Sequence, residues 1–238
     1  MIPARLGSTR FPGKVLADLA GRPVVWHVHE RLAAAELVDA VLVATDSDEV
    51  AAAVRGFGGE AVLVSTPCST GSDRVAEAVR EREAHAVVNL QADQPLIEPS
   101  DIDRAIEVLR ADRSLDMTTL AFRSDDPAAH ADPHVVKVVT DHSGRALYFS
   151  RAAIPSSPEA GAGRGWYLHH VGLYCFRREA LMRFAALERS PLELRESLEQ
   201  LRALENSMAI GVVTASTETW SIDRPGDLTK VERRLAEG

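Results

Sequence analysis

The chain has 238 residues, 45% of them hydrophobic and 26% charged, an ordinary globular composition with room for one large α/β domain or two small ones. Its formal net charge of −8 argues against nucleic acid or an anionic membrane as a partner, and its two cysteines are too few for a disulfide scaffold. So few cysteines fit a reducing cytosol, and we expect a cytoplasmic protein; no signal peptide and no apolar run long enough to span a bilayer is found.

The first half of the chain alternates predicted strands with predicted helices. Strands are predicted over residues 40–45, 60–64 and 86–90. Helices are predicted over residues 21–37 and 72–83, from Asp46-Ser47, and from a capping pair formed by Ser100 and Asp103 to residue 110. This alternation predicts an α/β fold with a doubly wound, mostly parallel sheet. Ligands of such sheets bind outside the carboxyl ends of the strands, so one cleft is expected to collect the loops that follow them.

The pattern changes near residue 117. Short strands are predicted over 117–122, 135–140, 146–149 and 167–176, with a hairpin turn at 141–144, a mobile loop at 155–165, and helices over 178–187 and 191–204. We therefore expect a nucleotide-binding half at residues 1–116 and a smaller acceptor-binding and dimerisation half at residues 117–238. The second half is expected to return to the same sheet, so that the chain forms a single structural domain.

A cationic segment follows the apolar start of the chain. Residues 3–14 combine Arg5, Arg10 and Lys14 with several small residues. Small residues let backbone approach an anion, and the cations can donate charge-assisted hydrogen bonds to phosphate. Spacing alone gives equal weight to a solvated basic loop. Because the chain has only three lysines, Lys14 and Lys137 indicate positions that need a compact ammonium group.

The motifs of the chain resemble those of a known enzyme family. The sequence Arg-Leu-Gly-Ser-Thr-Arg-Phe-Pro-Gly-Lys at 5–14 is similar to the signature loop of sugar-activating nucleotidyltransferases, most closely the 3-deoxy-manno-octulosonate (KDO) cytidylyltransferases. The similarity continues in order through residues 89–95, 137, 148–155, 170–174, 190–201 and 223–228. An ordered series of this kind is more specific than any one motif.

The resemblance implies a nucleotide-diphospho-sugar transferase-like fold and a transfer of CMP from CTP to an acidic acceptor, with pyrophosphate released. Such an in-line displacement needs positioning, charge neutralisation and a divalent cation, and no protein nucleophile. Asp93 and Asp223 match the family's metal positions, which implies Mg²⁺. Arg10 and Lys14 match its phosphate-contacting residues. From the sequence alone, a helix N-cap is the alternative for Asp223.

The resemblance also implies the remaining site residues. The CTP-binding residues would be Pro3, Ala4, Arg5, Leu6, Gly7, Ser8, Thr9, Thr70, Gly71, Ser72, Arg74, Gln91 and Ala92. The acceptor-binding residues would be Gln91, Lys137, Arg151, His170, Tyr174, Glu199 and Gln200. An ion pair with an exposed acid at helical spacing is the alternative for Arg74, a structural histidine for His170, and a solvated mid-helix face for Glu199 and Gln200. A homodimer is implied, with the hairpin and the strand at 167–176 as the contact.

Several positions depart from the family pattern. The usual Gln-Gly-Asp-Glu-Pro reads Gln-Ala-Asp-Gln-Pro at 91–95, Cys68 replaces a histidine, His169 an arginine and Ser221 a glycine. Gln94 removes a negative charge beside the expected metal, so the acceptor stays open between KDO, another sialic-type acid and a phosphonate. A catalytically silent nucleotide-binding dimer is the alternative from another class. Only two residues precede Pro3, where the family has a full strand, so a late start and a shortened strand are both open.

Overall fold

The computed structural model describes residues 1–7, 11–156 and 165–237. Its strands are β1 Ile2–Ala4, β2 Asp18–Leu19, β3 Arg22–Pro23, β4 Leu42–Thr45, β5 Glu60–Leu63, β6 Ala86–Leu90, β7 Met117–Ser124, β8 Lys137–Thr140, β9 Ala146–Ser150, β10 Tyr167–Arg177 and β11 Ile210–Thr214. Its helices are α1 Val24–Ala33, α2 Asp48–Gly56, α3 Gly71–Ala78, α4 Pro99–Ala111, α5 Pro127–Ala131, α6 Arg178–Ala186, α7 Pro191–Glu196, α8 Gln200–Glu205 and α9 Pro225–Glu237, with a 3₁₀ turn at Lys14–Leu16. None of these described helices has both the length and the apolar character that a membrane crossing requires. Most of the loop predicted at 155–165 lies outside the described residues.

The chain divides into two compact units. One unit consists of Met1–Asp103 with Thr219–Gly238, and the other of Arg104–Glu218. These bounds differ from the halves 1–116 and 117–238 expected from the sequence, because the end of the chain belongs with its beginning.

Two hydrogen bonds illustrate why the end of the chain belongs to the first unit. The Ile222 amide donates to the carbonyl oxygen of Asp93 at 3.0 Å, and the Ala20 amide donates to the Glu232 carboxylate at 3.2 Å. Val231 in α9 is fully buried. The sequence alone does not show the part of the protein on which this helix packs.

The first unit is built on parallel strands. β4 lies between β1 and β5 and is parallel to both, with Ala4 opposite Thr45. The Met1 amino group donates to the Val88 carbonyl oxygen at 2.8 Å, and the Leu90 amide donates to that of Met1 at 3.0 Å, so β6 lies beside β1. Parallel strands have their carboxyl ends at one edge, so the segments after β1, β4 and β6 begin there, as the doubly wound pattern predicts.

The second unit contains a mixed sheet with strand order β11-β7-β10-β8-β9. β11 is parallel to β7, and the other neighbours are antiparallel. The hairpin predicted at 141–144 is confirmed between β8 and β9. The Asp141 carboxylate closes it by accepting hydrogen bonds from the amides of Ser143 and Arg145 at 2.8 and 2.9 Å. The fold class is therefore α/β, and outside this sheet the first unit adds one short antiparallel pair, β2 with β3.

The start of α4 differs from the prediction. The helix begins at Pro99, whose fixed φ angle suits a first helical position, so Ser100 lies inside the helix. The Asp103 carboxylate accepts from the amides of Glu36 and Leu37 at 3.0 and 2.8 Å. It therefore caps the segment that follows α1 and not its own helix. The predicted Ser100–Asp103 capping pair is wrong because a tertiary contact uses the carboxylate.

The single helix predicted over 191–204 is two helices. Ser197 ends α7 in the left-handed region, with φ 54° and ψ 48°, and α8 begins at Gln200. Serine rarely adopts this conformation, so the sequence shows no break there. Glu199 and Gln200 consequently lie at the start of a helix, and the mid-helix position expected for them is wrong.

A buried ion pair joins the two helices across this break. Arg202 donates from Nε and Nη2 to Oε2 and Oε1 of Glu193 at 2.8 and 2.7 Å, and the two side chains are 2% and 1% exposed. Arg189 adds a third bond to Glu193 at 3.1 Å. Burial raises the pKa of Glu193, but these hydrogen bonds outweigh it and hold the pKa below its usual value.

We expect Glu193→Gln to lower the free energy of unfolding by about 3–5 kcal/mol, because it leaves the Arg202 charge buried without a counter-ion. A carboxylate with a lowered pKa stabilises the fold above its unfolded-state pKa, and this contribution is lost as the pH falls through the lowered value. Urea unfolding at neutral and acidic pH measures both effects. The exposed Glu188→Gln is the matched control. A Glu193→Gln loss below 1 kcal/mol at neutral pH contradicts the prediction.

Candidate active site

Three charged side chains from distant parts of the chain meet in the first unit. The Lys14 Nζ atom lies 2.8 Å from Oδ2 of Asp93 and 3.9 Å from Oδ1 of Asp223. Lys14 follows β1, Asp93 follows β6, and Asp223 precedes α9. The side chains are partly buried, at 12%, 25% and 27% exposure. The structure thus brings together the lysine and both aspartates that the sequence singles out.

A tight turn presents Lys14 to the carboxylates. Gly13 adopts a left-handed conformation with φ 71°, which a residue with a side chain would adopt only with strain. The Gly13 amide donates to the Leu6 carbonyl oxygen at 3.0 Å, and the Lys14 amide to that of Phe11 at 3.2 Å. The glycine of the cationic segment therefore has a defined role, which is to turn the chain so that Lys14 meets Asp93.

Backbone contacts fix the two aspartates relative to each other. The hydrogen bond from Ile222 to the Asp93 carbonyl oxygen joins the two segments directly. The Asp227 carboxylate accepts from the amides of Asp223 and Arg224 at 3.1 and 2.9 Å. Asp227 thereby holds the turn that enters α9, a role that sequence reasoning did not assign.

The carboxylate pair fits a divalent cation. Lys14 already contributes a positive charge that contacts both Asp93 and Asp223. Carboxylate oxygens are ligands that Mg²⁺ prefers, and it commonly takes only one or two of them together with phosphate and water. Among the described residues, no group of three or more His, Cys, Asp or Glu side chains converges on a metal position. The donor set therefore suits a cation that arrives with phosphate rather than a closed structural site.

A second ion pair lies at the carboxyl end of β4. Arg74 donates from Nη2 to Oδ2 of Asp46 at 2.8 Å, and the two side chains are 6% and 50% exposed. The Nη1 atom of Arg74 is buried and has no hydrogen-bond partner within the described parts of the chain. The partner follows a strand, so an ion pair at helical spacing is wrong for Arg74. The sequence did not identify Asp46 as the partner of Arg74, although Asp46 directly follows the strand predicted over residues 40–45.

The loop before α3 packs against the segment after β6. A Cβ atom on Gly71 would lie 3.0 Å from Nε2 of Gln91 and 3.2 Å from Cγ of Pro3, so a larger residue there would need these side chains to shift by a few tenths of an ångström. Thr70 and Asp73 form a capping box that starts the helix. The family motif around Gly71 therefore has a local structural reason.

Some of the predicted CTP-binding side chains face the interior. Ser72 is fully buried and accepts a hydrogen bond from Nδ2 of Asn89 at 2.9 Å. Asn89 in turn accepts one from Gln91 at 3.4 Å. Ala92 and Gln94 are buried, and Oε1 of Gln94 has no partner among the residues that the structure describes. Ser72 therefore contributes packing and backbone position, since its hydroxyl group is directed inward.

The remaining residues of the cationic segment have varied exposure. Pro3 and Ala4 are buried in β1, Leu6 is half-buried, and Arg5 and Gly7 are exposed. Ser8, Thr9 and Arg10 lie outside the described residues. Their predicted phosphate contacts remain predictions.

Three of the predicted acceptor residues form a buried cluster in the second unit. The ring centroids of His170 and Tyr174 are 5.5 Å apart, and the Tyr174 hydroxyl donates to Oε1 of Gln200 at 3.0 Å. Nε2 of His170 lies 2.9 Å from Oγ1 of Thr119. Burial, followed by the neighbouring His169, lowers the pKa of His170 to about 3. Burial also dominates in lowering the pKa of His169 to about 4, so both rings are neutral at pH 7.

Arg151 is held by main-chain and carboxylate groups. Its Nε donates to the Glu196 carbonyl oxygen at 2.8 Å and its Nη1 to that of Pro133 at 2.9 Å. The Glu196 carboxylate accepts from the Arg151 amide at 2.9 Å and from Oγ of Ser150 at 2.8 Å. Burial raises the pKa of Glu196, but these bonds outweigh it and lower the pKa. No sequence motif indicated Glu196, whose role is to position Arg151.

Lys137 is held by main-chain oxygens, and its acceptor role stays a prediction. Its ammonium group donates to the carbonyl oxygens of Asp132, Val135 and Arg151 at 3.0, 2.7 and 2.6 Å. These three bonds use all the donors of an ammonium group. The expectation that position 137 needs a compact ammonium group fits the structure. The need arises because three main-chain carbonyl oxygens surround the ammonium group. Glu199, directly before α8, is half-buried.

Comparison with known proteins identifies the family of the chain. A family model described as cytidylyltransferase matches residues 1–210. A 3-deoxy-manno-octulosonate cytidylyltransferase of Geobacter metallireducens is 49% identical, covering 99% of this chain and 96% of that protein. The protein of the same name from Geobacter sulfurreducens is also 49% identical, with 99% and 98% covered.

A solved structure extends the comparison to three dimensions. The structure of CMP:2-keto-3-deoxy-manno-octonic acid synthetase complexed with CTP superposes with a TM-score of 0.91 at 39% identity, covering 99% of this chain and 97% of that one. Identity at this level over the whole chain exceeds what a shared fold alone would give. The chain therefore belongs to the 3-deoxy-manno-octulosonate cytidylyltransferase family and is a nucleotidyltransferase.

Proposed function

We propose that this protein transfers CMP from CTP to KDO, with Mg²⁺ as cofactor and pyrophosphate as the second product. The observation that carries the proposal is the convergence of Lys14, Asp93 and Asp223, within a chain whose relatives bear the name of this activity. A nucleotidyl transfer needs a cation site beside a positive side chain for the triphosphate, and two carboxylates beside a lysine support both roles.

In this proposal the first unit holds the nucleotide. Asp93 and Asp223 hold the cation, which when bound neutralises phosphate charge and favours attack at the α-phosphorus. Lys14 donates to the phosphates that leave as pyrophosphate, and Arg10 is assigned the same task from the sequence. Arg74, which has a buried unused donor and is fixed by Asp46, contacts the nucleotide from the start of α3. No protein nucleophile is required, because the acceptor hydroxyl attacks directly.

The second unit is proposed to hold the acceptor. His170, Tyr174 and Gln200 form a neutral, buried polar cluster, and Arg151 supplies a cation for the acceptor's carboxylate. Glu199 and the start of α8 complete the acceptor set of this unit by resemblance to the family, and the same resemblance implies an acceptor role for Gln91. A hydroxyl-rich sugar acid suits such a mixture of neutral polar groups and one arginine, and phosphonates serve as competing acceptors in the tests.

A direct assay tests this function. Purified protein with CTP, Mg²⁺ and KDO should release pyrophosphate and form CMP-KDO, whereas EDTA should abolish the reaction and added Mg²⁺ should restore it. ATP, GTP and UTP at the same concentration are the nucleotide controls. Pyrophosphate release with a small phosphonate but not with KDO, or no release with any acid, contradicts the proposal.

We expect Asp93→Asn and Asp223→Asn each to lower kcat by at least 100-fold, because each removes a negative charge from the proposed cation site. Both variants should fold, since both carboxylates are partly exposed. The control is Asp39→Asn, which changes an exposed aspartate of the same unit. Steady-state kinetics over a range of Mg²⁺ concentrations is the measurement, and activity within threefold of wild type for either variant refutes its metal role.

Arg74→Lys should raise the KM for CTP about tenfold and leave the KM for the acceptor unchanged. Lysine retains the charge but has a single donor atom, so it cannot pair with Asp46 and also occupy the position of the Arg74 Nη1 atom. Arg80→Lys is the matched control, because Arg80 makes an exposed ion pair with Glu77 on the surface next to α3. Equal effects of the two substitutions on CTP kinetics would argue against a nucleotide contact for Arg74.

We further propose a cytoplasmic homodimer whose contact includes the β8–β9 hairpin. β9 ends the strand order of its sheet and carries Leu147, which is 61% exposed. β10, also expected at the contact, is paired on both sides by β7 and β8, so it can contribute only through its faces. The resemblance to the family implies a contact at this hairpin, and a strand at the end of a sheet has main-chain groups that a partner chain can reach.

Leu147→Arg should therefore convert the dimer to a monomer, which light scattering with size-exclusion chromatography measures as a halved mass. Leu63→Arg is the matched control, because Leu63 is 48% exposed on β5 of the other unit. A wild-type protein with the mass of one chain, or a Leu147→Arg protein that keeps the mass of two, contradicts this proposal.

A further inference from the structure

A threonine outside the predicted site connects two strands of the second unit beneath His170. Thr119 lies on β7 and is fully buried. Its Oγ1 atom is 2.6 Å from the carbonyl oxygen of Leu173 and 2.9 Å from Nε2 of His170. The pairing of β10 with β7 is irregular between Val171 and Tyr174, and Leu173 lies within this irregularity. The Thr119 hydroxyl thus supplies the Leu173 carbonyl with a hydrogen bond.

Counting protons assigns the tautomer of His170. A carbonyl oxygen can only accept, so the single hydroxyl proton of Thr119 must lie between Oγ1 and the Leu173 oxygen. The contact between Oγ1 and Nε2 then needs a proton from the histidine, so Nε2 carries the hydrogen. A neutral imidazole has only one such hydrogen, which leaves Nδ1 as an acceptor. The lowered pKa of His170 keeps the ring in this neutral form at pH 7.

The neighbouring side chains have fixed polarity as well. The Tyr174 hydroxyl donates to Oε1 of Gln200, so the amide nitrogen of Gln200 points elsewhere. That nitrogen is buried and has no hydrogen-bond partner among the described residues, and the whole residue is 2% exposed. Proton counting thus makes Nδ1 of His170 an acceptor, and the Nε2 atom of Gln200 is a buried donor that no described residue uses. An unused buried donor is costly unless a ligand satisfies it.

We infer that Thr119 is a positioning residue for the acceptor: it holds His170 as the Nε2–H tautomer, so that Nδ1 accepts a hydrogen bond from a hydroxyl group of the sugar acid. This inference rests on the proposed transfer to KDO and deepens it. A lone pair at Nδ1 repels carboxylate and phosphonate oxygens and attracts a hydroxyl hydrogen. Thr119 therefore favours a polyhydroxylated acid over an acid that lacks hydroxyl groups at this point.

The test compares Thr119→Val, which keeps the shape and removes the hydroxyl, with Thr119→Ser, which keeps the hydroxyl. Thr118→Val is the matched control, because Thr118 is also fully buried on β7 and its hydroxyl donates to a carbonyl oxygen, that of Ala105 at 2.8 Å. Thermal unfolding verifies that all three variants fold. Two readouts follow for each: the His170 tautomer in long-range ¹H–¹⁵N spectra without substrate, and the KM values for KDO and CTP.

The wild type, Thr119→Ser and Thr118→Val should show His170 protonated at Nε2, and Thr119→Val should show a mixture of tautomers. Thr119→Val should raise the KM for KDO roughly tenfold, the cost of misplacing one hydrogen bond in a buried site, while the KM for CTP stays within twofold. KDO analogues that each lack one hydroxyl group extend the test. For one of these analogues, the KM with Thr119→Val should equal the KM of KDO with the same variant, because the hydroxyl that pairs with Nδ1 of His170 in the wild type no longer contributes to binding in the variant.

A wild-type His170 protonated at Nδ1 overturns the inference, and so does a Thr119→Val protein with unchanged KM for KDO. Equal changes in KM for KDO and CTP, or the same loss in Thr118→Val, reduce Thr119 to a general packing role and also overturn it. Absence of KDO turnover by the wild type is a different result: it refutes the proposed function, and the acceptor role of Thr119 with it.

Discussion

The attraction between one ammonium group and two carboxylates organises the first unit. Lys14, Asp93 and Asp223 are separated by most of the chain, yet they share one partly buried position. Two carboxylates that converge without a cation would repel each other, and partial burial strengthens that repulsion. Lys14 offsets it, and the Gly13 turn and the hydrogen bond from Ile222 to Asp93 hold the geometry. The same balance makes the position suitable for the charges of a metal and a triphosphate.

The proposed site of the second unit consists mainly of neutral polar groups, in contrast to the charged cluster of the first unit. Its central histidines are buried and neutral, with pKa values lowered by desolvation, and Lys137 is satisfied by main-chain oxygens. The buried Glu193–Arg202 pair stabilises the two short helices behind this region. A neutral polar cluster selects by the direction of its hydrogen bonds rather than by net charge. Each unit therefore offers groups that complement its proposed substrate. The first unit offers positive charge for phosphates, and the second offers oriented hydrogen-bond donors and acceptors for the hydroxyl groups of a sugar acid.

The sequence predicted the parts of the molecule that follow from local pattern. The alternation of strands and helices, the hairpin at 141–144 and the conjunction of Lys14 with two aspartates all follow from periodicity, turn chemistry or an ordered series of motifs. The structure adds what tertiary contacts decide. Asp103 has the spacing of a capping residue but caps another segment, and the ammonium group of Lys137 is surrounded by main-chain oxygens that no sequence pattern indicates.

Other features had no signal in the sequence at all. Ser197 breaks a helix in a conformation that serine seldom adopts, so no breaker residue marks the position. Thr119 lies within an ordinary apolar strand, and its contact with His170 depends on the pairing of two strands that are distant in sequence. Asp46 and Glu196 act through partners 28 and 45 residues away. Residues whose role is to position another residue are therefore the ones that sequence reasoning misses.

The most direct measurement is a crystal structure with CTP and Mn²⁺ in place of Mg²⁺, with the metal located by its anomalous scattering. The account predicts a metal peak bound by carboxylate oxygens of Asp93 and Asp223, with the Lys14 ammonium group on the triphosphate. A metal peak away from either aspartate, or a triphosphate that does not contact Lys14, would contradict it.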